Sequence, residues 1–263
     1  MTAKLFDLAG RRALVTGAGA NGGIGHAIAM GFARAGARLA VCDIDEAGLA
    51  HTSEELEAYG GAAAAARCDI SNEADVENFF AQVKRAFGGV DILVNVPFVF
   101  PRRCPPHEVT LEDWRRMFDV NVTGYFLFVR AVLPQMVERD DGLIINLGSI
   151  AGDYPYPGGH VYGGAKAFVL QFSLNLRCDL AGMNVRVTNI EPGMATGSEF
   201  SQVRFGGDEA KAAAVYAGTQ SLTPEDIAET AAWLVSLPPH VNVNRIEVMP
   251  TCQAGGGLIV KRA

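Results

Sequence analysis

The chain has 263 residues, of which 49% are hydrophobic and 19% are charged, and its net charge is −7 at pH 7. This composition is typical of a globular protein with a well-buried core and argues against an intrinsically disordered chain. Because the 22 Lys and Arg residues are scattered and outnumbered by acids, it also argues against nucleic acid or an anionic membrane as the main partner.

No linker-like run divides the chain, so we expect a single domain over residues 1–263. The five cysteines have neither metal-ligand nor redox-motif spacing, and their odd number does not suggest a disulfide framework. The N-terminus lacks the apolar stretch of a signal peptide, and no apolar run approaches membrane-spanning length. These features predict a cytoplasmic protein without a metal site.

Short β-like runs alternate with helical patterns along the chain. In chain order, the predicted elements are strand Arg12–Thr16, helix Ile24–Ala35, strand Arg38–Asp43, helix Glu46–Tyr59, strand Ala64–Asp69, helix Asn72–Phe87, strand Asp91–Val94, helix Leu111–Arg139, strand Leu143–Leu147, helix Val161–Leu180, strand Val185–Ile190, a helix that opens at Thr223-Pro224, and strand Arg245–Met249. The long fourth helix is expected to bend or break near Pro134. The alternation predicts an α/β fold, a Rossmann-type doubly wound parallel sheet of about seven strands with helices on both faces.

Several candidate functional residues fall at or just past a predicted strand end. They are Gly17, Asp43, Asp69, Asn95, Ser149 and Pro192. In an open parallel sheet the ligand binds beyond the carboxyl ends of the strands. Their agreement on one edge predicts a shared site there.

A glycine-rich turn, Thr16 to Gly25, follows the first strand and precedes the first helix. Gly17, Gly19 and Gly22 satisfy G-x-G-x-x-G, in which glycines let the backbone approach a pyrophosphate and the helix N-terminus supplies free N–H groups. The alternative is a plain glycine-rich turn. The strand before it, the helix after it and an acid about 20 residues beyond favour a dinucleotide site.

Asp43 and Asp69 end the second and third predicted strands. A carboxylate at position 43 can accept hydrogen bonds from the adenosine ribose hydroxyls and would repel a 2′-phosphate, which predicts NAD over NADP. Its alternative is a solvated loop acid. Asp69 either faces the adenine edge or is a helix-capping or loop acid.

Tyr162 and Lys166 are four residues apart, so both side chains project from one helix face. A free tyrosine, with a pKa of about 10, is a poor base at neutral pH, but a neighbouring ammonium favours the phenolate. Ser149, thirteen residues before Tyr162, would supply a hydroxyl that holds a substrate oxygen. A dinucleotide beside a proton-transfer group predicts hydride chemistry on an alcohol or ketone.

Together these residues resemble the short-chain dehydrogenase/reductase family over nearly the whole chain. The resemblance implies that Tyr162 is the catalytic acid/base, that Lys166 binds the nicotinamide ribose and lowers the tyrosine pKa, and that Ser149 orients the substrate. It also implies that Asn121, in Asn121-Val122-Thr123-Gly124, holds a water in the proton relay; the alternative is a buried, hydrogen-bonded Asn. The implied cofactor-binding residues are Gly17, Asn21, Gly23, Ile24, Gly25, Asp43, Asp69, Ile70, Asn95, Tyr162, Lys166, Pro192 and Gly193.

From Leu111 onward the chain resembles the subgroup that oxidises 3-hydroxy acids such as serine, which is typically NADP-linked. Three features depart from the family pattern. The glycine-rich turn has two extra residues, Asp43 stands where an NADP enzyme has a basic or small residue, and Asn95-Val96-Pro97-Phe98 replaces Asn-Asn-Ala-Gly. Because Asp43 bears directly on the cofactor phosphate, we predict NAD.

Candidate substrate groups lie around the expected site mouth. Arg102 and Arg103 suit a carboxylate, sulfonate or phosphate, although both can equally be solvated surface residues. Arg204 is a second anion candidate within residues 194–220, a segment expected to form a lid over the substrate. His160 either faces the substrate or is a surface group.

The favoured function is that of an NAD-dependent alcohol dehydrogenase acting on a small anionic hydroxy compound such as a hydroxy acid. Two alternatives stay open: a dehydrogenase of a sugar or polyol, with or without a sulfonate or carboxylate, and a non-catalytic dinucleotide-binding regulator. A serine hydrolase is excluded because position 147 is Leu, whereas a nucleophile elbow requires Gly there. The family resemblance implies a homotetramer, or a homodimer, as the assembly.

Overall fold

The computed structural model describes residues 6–19, 22–96, 99, 104–197, 201, 205–255 and 259–260. Its main sheet has seven parallel strands in the order β3-β2-β1-β4-β5-β6-β7. The strands are β1 (Arg12–Thr16), β2 (Arg38–Asp43), β3 (Ala62–Arg67), β4 (Ile92–Asn95), β5 (Gly142–Leu147), β6 (Val185–Pro192) and β7 (Arg245–Val248). A short antiparallel pair, β8 (Gln253–Ala254) and β9 (Ile259–Val260), follows near the C-terminus.

Helices cover both faces of the sheet, as expected for a doubly wound fold. They are α1 (Ile24–Arg34), α2 (Glu46–Leu56), α3 (Glu73–Phe87), α4 (Leu111–Phe118), α5 (Gly124–Arg139), α6 (His160–Asp179), α7 (Glu209–Tyr216) and α8 (Pro224–Ser236). One buried apolar cluster joins α1 and α8 to the sheet, and a second joins α3, α5 and α6 to the opposite face. The predicted fold class is therefore confirmed.

The strand order makes the carboxyl ends of β1, β4, β5 and β6 neighbours at one edge of the sheet. The chain starts at β1 in the middle of the sheet, runs outward to β3, and returns to the other side of β1 at β4. This reversal between β1 and β4 is the point where open α/β sheets bind their ligands. The ends of β1, β4, β5 and β6 are neighbours there, with Asn95 opposite Asn146 and Asn146 opposite Asn189.

Local sequence signals explain most element boundaries. The side-chain oxygen of Asn72 accepts hydrogen bonds from the N–H groups of Ala74 and Asp75 and caps α3. At α8, Thr223 and Asp226 form a reciprocal capping box with Pro224 at the first helical position, as the sequence predicted. Gly60, with a φ of 101°, ends the turn after α2.

The predicted positions of two elements were wrong. The third strand begins at Ala62, directly after the glycine turn, rather than at Ala64; a run of alanines carries no alternation that would fix the strand start. The fourth helix does not break near Pro134, which lies inside α5 on its exposed side, where a freed carbonyl can be hydrated. Instead, a single π-helical turn, Asp119–Thr123, separates α4 from α5.

One helical stretch differs from the expectation that no apolar run approaches membrane-spanning length. Leu111–Arg139 is continuous over 29 residues, and its most apolar window has a mean hydropathy of 1.2, enough by length and composition to cross a membrane. Within it, Phe128 and Val132 are fully buried in the apolar cluster on one face of the sheet. Tyr125 is also fully buried, and its hydroxyl donates to the Leu147 carbonyl of β5. We therefore interpret this stretch as a core helix of the fold.

Candidate active site

Tyr162 and Lys166 lie on the first two turns of α6, and the structure brings them together as predicted. Tyr162 is 6% exposed and Lys166 is 2% exposed. The Lys166 Nζ atom is 5.7 Å from the centre of the Tyr162 ring. An ammonium at this distance from an aromatic ring interacts favourably with it.

The Lys166 ammonium is held by two oxygen acceptors. Its Nζ atom donates to the Leu147 carbonyl at 2.8 Å, at the end of β5, and to the Tyr125 hydroxyl at 3.1 Å, on α5. Burial lowers the pKa of Lys166 from 10.5 to about 7, because removal from water disfavours the charged form. Near neutral pH this lysine is therefore close to its pKa, whereas a surface lysine is almost fully protonated.

Ser149 follows β5 and begins the 3-10 turn Ile150–Gly152, where its Oγ atom accepts the Ala151 N–H at 3.1 Å. This turn packs tightly on α6. A Cβ atom on Gly163 would lie 2.7 Å from the Ala151 carbonyl oxygen, and one on Gly152 would lie 2.9 Å from the Ala167 nitrogen. Two glycines thus let the Ser149 turn approach the helix that carries Tyr162.

Asn121 is fully buried in the π-helical turn between α4 and α5. Its Nδ2 atom donates to the Val99 carbonyl at 3.1 Å and to the Met117 carbonyl at 3.3 Å. Its Oδ1 atom is buried and has no hydrogen-bond partner among the described residues. A buried amide oxygen of this kind is expected to bond a water or ligand, and π-helical turns are frequent at functional sites.

The glycine-rich turn approaches its neighbours too closely for any side chain. Gly17 has a φ of +67°, and a Cβ atom there would lie 2.0 Å from the Val96 carbonyl oxygen. On Gly25 it would lie 2.1 Å from the Gly17 carbonyl oxygen. Gly23 caps α1 without a side-chain hydrogen bond, so the N–H groups of the first turn, beginning at Ile24, can serve an anion. These features fit the pyrophosphate of a dinucleotide.

Asp43 joins the end of β2 to the glycine-rich turn. Its Oδ2 atom accepts the Gly19 N–H at 2.8 Å, and its Oδ1 atom accepts the Asp45 N–H at 3.0 Å. The carboxylate is therefore fixed beside the glycine-rich turn by two backbone N–H groups. Gly48 of α2, which the sequence did not single out, permits this approach, since a Cβ atom there would lie 1.7 Å from the Gly19 carbonyl oxygen.

The ends of β4 and β6 border the same edge. Asn95 is buried, and its Nδ2 atom donates to Asn146 Oδ1 at 3.0 Å. Pro192 ends β6, and the following Gly193 N–H donates to the Val248 carbonyl at 2.7 Å. The Gln253 side chain, which sequence reasoning missed, accepts the next N–H, that of Met194, at 2.7 Å.

With these groups at one sheet edge, the comparisons with known proteins identify the family. The model of the short chain dehydrogenase family matches residues 11–205. This chain belongs to that family. The predicted resemblance to the family is thereby confirmed, and the relatives described next confirm the resemblance to the 3-hydroxy acid subgroup.

Three relatives match most of the chain. It is 46% identical over 249 residues to the NADP-dependent 3-hydroxy acid dehydrogenase YdfG of Shigella flexneri, covering 95% of this chain and 98% of the relative. It is 45% identical to sulfoacetaldehyde reductase 2 of Chromohalobacter salexigens, covering 93% and 96%. The closed form of a serine dehydrogenase complexed with NADP+ superposes with a TM-score of 0.88 at 45% identity, covering 96% of this chain and 100% of the other.

As a short-chain dehydrogenase, the chain is an oxidoreductase that interconverts an alcohol and a carbonyl with a nicotinamide dinucleotide. The first and third relatives are named with NADP, whereas the sequence of this chain predicted NAD. The expectation of a nicotinamide dinucleotide as coenzyme is confirmed.

Other residues expected at the site have structural partners of their own. Asp69 Oδ1 accepts both the N–H and the hydroxyl of Ser71, at 3.0 and 2.6 Å, which matches the loop-acid alternative. Ile70 packs against Gly124 at the start of α5. His160 is exposed, and its Nε2 atom lies 3.0 Å from the Cys104 carbonyl oxygen. The predicted positions Asn21, Arg102, Arg103 and Arg204 lie outside the described residues.

Three carboxylates that are distant in sequence meet near the end of β6. Asp153, Glu191 and Glu247 have oxygen atoms within 4.8 Å of one another. The Arg245 guanidinium lies among them, bonding Glu191 Oε2 at 2.5 Å and also Asp153. Because the Arg245 guanidinium pairs with all three carboxylates, we interpret the cluster as an ion-pair network that supports the strand end before Pro192.

Proposed function

We propose that this protein is an NAD-dependent dehydrogenase of a small anionic hydroxy acid. The observation that carries the proposal is the buried Tyr162–Lys166 pair at the sheet edge that also holds the glycine-rich turn and Asp43. The family supplies the reaction class, and these residues supply its proton-transfer groups and a cofactor cradle.

In the proposed mechanism Tyr162 accepts the proton of the substrate hydroxyl while Ser149 donates a hydrogen bond to the same oxygen. A nicotinamide dinucleotide, held by the glycine-rich turn, would supply the hydride acceptor for the carbinol carbon. Lys166, held by the Leu147 carbonyl, stabilises the phenolate form of Tyr162 that accepts this proton. Asn121, through its buried Oδ1 atom, would accept a hydrogen bond from a water that passes the proton onward toward solvent.

An acidic substrate is supported by the relatives. One is named for 3-hydroxy acids and another for sulfoacetaldehyde, so both names indicate an anionic substrate, with a carboxylate in the first and a sulfonate in the second. We propose that Arg102, Arg103 and Arg204 bind this anion. A second candidate, a sulfonated aldehyde or sugar, is favoured by the similarity to the sulfoacetaldehyde reductase.

The decisive test is a screen of 3-hydroxy acids, acidic sugars and the alcohol of sulfoacetaldehyde with NAD and with NADP. The absorbance of the NADH or NADPH that is formed measures turnover. We expect turnover of an anionic hydroxy compound and poor turnover of its methyl ester. Tight NADH binding without turnover on the whole panel would instead support a non-catalytic regulator.

Residues 194–220 are proposed as the substrate lid. Among the described residues, the N–H of Thr196 donates to the Leu222 carbonyl at 2.8 Å, and the hydroxyls of Ser201 and Tyr216 are 2.7 Å apart. Gly197 lies against the glycine-rich turn, since its Cβ atom would be 3.1 Å from the Gly22 carbonyl oxygen. The base of this segment therefore adjoins the proposed cofactor cradle.

Asp43 is proposed to set the coenzyme preference, which predicts the effect of removing its charge. A carboxylate fixed beside the ribose repels a 2′-phosphate. We expect wild-type kcat/KM to favour NAD over NADP, and Asp43→Asn to shift this ratio toward NADP by about tenfold or more. Steady-state kinetics with both coenzymes measures the shift.

Glu46→Gln is the matched control for Asp43→Asn. Glu46 is an exposed acid at the start of α2, and among the described residues its carboxylate pairs with Arg67 and not with the glycine-rich turn. It should leave the coenzyme ratio unchanged. A wild-type enzyme that prefers NADP would overturn the Asp43 hypothesis while leaving the oxidoreductase class intact.

A homo-oligomer is proposed from the apolar groups that α4, α5 and α6 leave exposed. Leu111 is 70% exposed, Trp114 45%, Phe126 43% and Phe168 39%. We expect sedimentation velocity to give a dimer or tetramer, and the double variant Leu111→Glu, Phe168→Glu to dissociate it. A wild-type monomer at micromolar concentration would contradict the proposal.

A further inference from the structure

Tyr125 makes a buried contact that the family resemblance did not imply. It lies on α5, one helical turn after Asn121, and is fully buried. Its hydroxyl donates to the Leu147 carbonyl at 2.5 Å and accepts from Lys166 Nζ at 3.1 Å. Because Lys166 Nζ also donates to Leu147, the three groups form a closed triangle of hydrogen bonds.

Core packing alone does not require this arrangement. The Tyr125 hydroxyl is already satisfied as a donor by Leu147, so its second contact serves the lysine. The Lys166 Nζ atom also lies 5.3 Å from the centre of the Tyr125 ring and 5.7 Å from that of Tyr162. Tyr125 thus contributes both an oxygen acceptor and an aromatic face to a buried ammonium.

We propose that Tyr125 is a positioning residue, whose hydroxyl holds the Lys166 ammonium beside Tyr162 and favours its charged form. This inference rests on the proposed function, in which Lys166 acts on Tyr162. Tyr125 itself transfers no proton. It acts through the lysine.

The ionisation of the neighbouring groups is consistent with this role. Burial, aided by the Tyr162 phenol, raises the pKa of Tyr125 well above its usual value, so it stays a neutral phenol that can donate and accept at once. No acid among the described residues forms an ion pair with Lys166: Asp119 is exposed, and Asp153 and Glu191 pair with Arg245. The Tyr125 oxygen is therefore a principal partner of this ammonium.

Tyr125→Phe removes one oxygen and leaves the ring. A hydrogen bond to a charged group is lost, so we expect the pKa of Lys166 in the cofactor-free protein to fall by about one unit, measured by NMR titration of labelled lysine Cε. With cofactor and substrate, the acid limb of the kcat/KM profile for alcohol oxidation should move to higher pH by about the same amount, since the phenolate loses support from the charge.

Phe128→Leu is the matched control, because Phe128 is fully buried on the same helix but packs in the apolar cluster against the sheet. It should lower Tm without moving either titration. An unchanged Lys166 titration in Tyr125→Phe would overturn the inference, and this readout needs no turnover, so it remains valid if the proposed function fails. If Tyr125→Phe does not fold, the double variant Tyr125→Phe, Lys166→Met distinguishes a positioning role from a packing role. We expect the double variant to fold, because it has no buried ammonium to hold. Its failure to fold would assign Tyr125 to packing alone.

Discussion

Tyr162→Phe should lower kcat/KM for alcohol oxidation by about 10²- to 10⁴-fold, the range by which a general acid/base accelerates a reaction. The substitution removes only the hydroxyl proposed to accept the substrate proton, and the buried ring keeps its packing on α6. Cofactor affinity should stay nearly unchanged, since that contact is assigned to Lys166 and the glycine-rich turn. Steady-state kinetics and a fluorescence titration with NADH separate the two effects.

Tyr59→Phe is the control for this prediction. Tyr59 is 47% exposed after α2 and belongs to no proposed site, so its loss should leave kcat/KM and NADH affinity unchanged. Full activity in Tyr162→Phe would show that another group transfers the proton, and the role proposed for the α6 pair would then be wrong.

Lys166→Met should abolish most activity and yet stabilise the cofactor-free protein. The buried ammonium has a pKa of about 7 instead of 10.5. Below pH 7 the lysine is charged in the folded and unfolded states, so the folded state bears the full cost of burying the charge. Between these two values only the unfolded chain keeps the proton, and wild-type stability rises with pH as this cost disappears.

The stability gain from Lys166→Met is therefore expected to be largest below pH 7 and to shrink as pH rises. Since one pKa unit corresponds to about 1.4 kcal/mol, the gain should fall by on the order of 3 kcal/mol between about pH 6 and pH 9.5. Denaturant unfolding of the cofactor-free protein at several pH values measures it. The exposed Lys84, replaced by Met, provides the control and should show no such trend; a pH-independent gain in Lys166→Met would contradict the burial of a titrating lysine.

The fold and the proximity of Tyr162 to Lys166 could be predicted because they rest on short-range signals. Four-residue spacing fixes Tyr162 and Lys166 on one helix face, and apolar runs bounded by glycines mark the strands. Because parallel strands share a carboxyl edge, the residues after them could be placed together before the sheet order was known. The acid at position 43 could be identified for the same reason.

Contacts that depend on tertiary packing could not be predicted. Tyr125 lies in a helix of Phe, Leu and Val, where an aromatic residue indicates core, and only the fold brings its hydroxyl to Lys166. Gln253 reaches Met194 across 59 positions. Gly48 is a glycine near a helix start, and only the fold shows that its backbone lies against the Gly19 carbonyl. The π-helical turn at Asn121 could not be predicted, because Asp119–Thr123 contains neither proline nor glycine.

The central proposal is that Tyr162, supported by Lys166, transfers the substrate proton beside a bound nicotinamide. A crystal structure of the protein with NAD+ and a hydroxy acid that it turns over tests this most directly. The mechanism predicts the substrate hydroxyl within about 2.6–3.2 Å of Tyr162 Oη, with the carbinol carbon facing the nicotinamide ring and Lys166 Nζ on the adjoining ribose. A substrate oxygen bound away from Tyr162, or a nicotinamide ring outside the edge formed by β1, β4, β5 and β6, would contradict it.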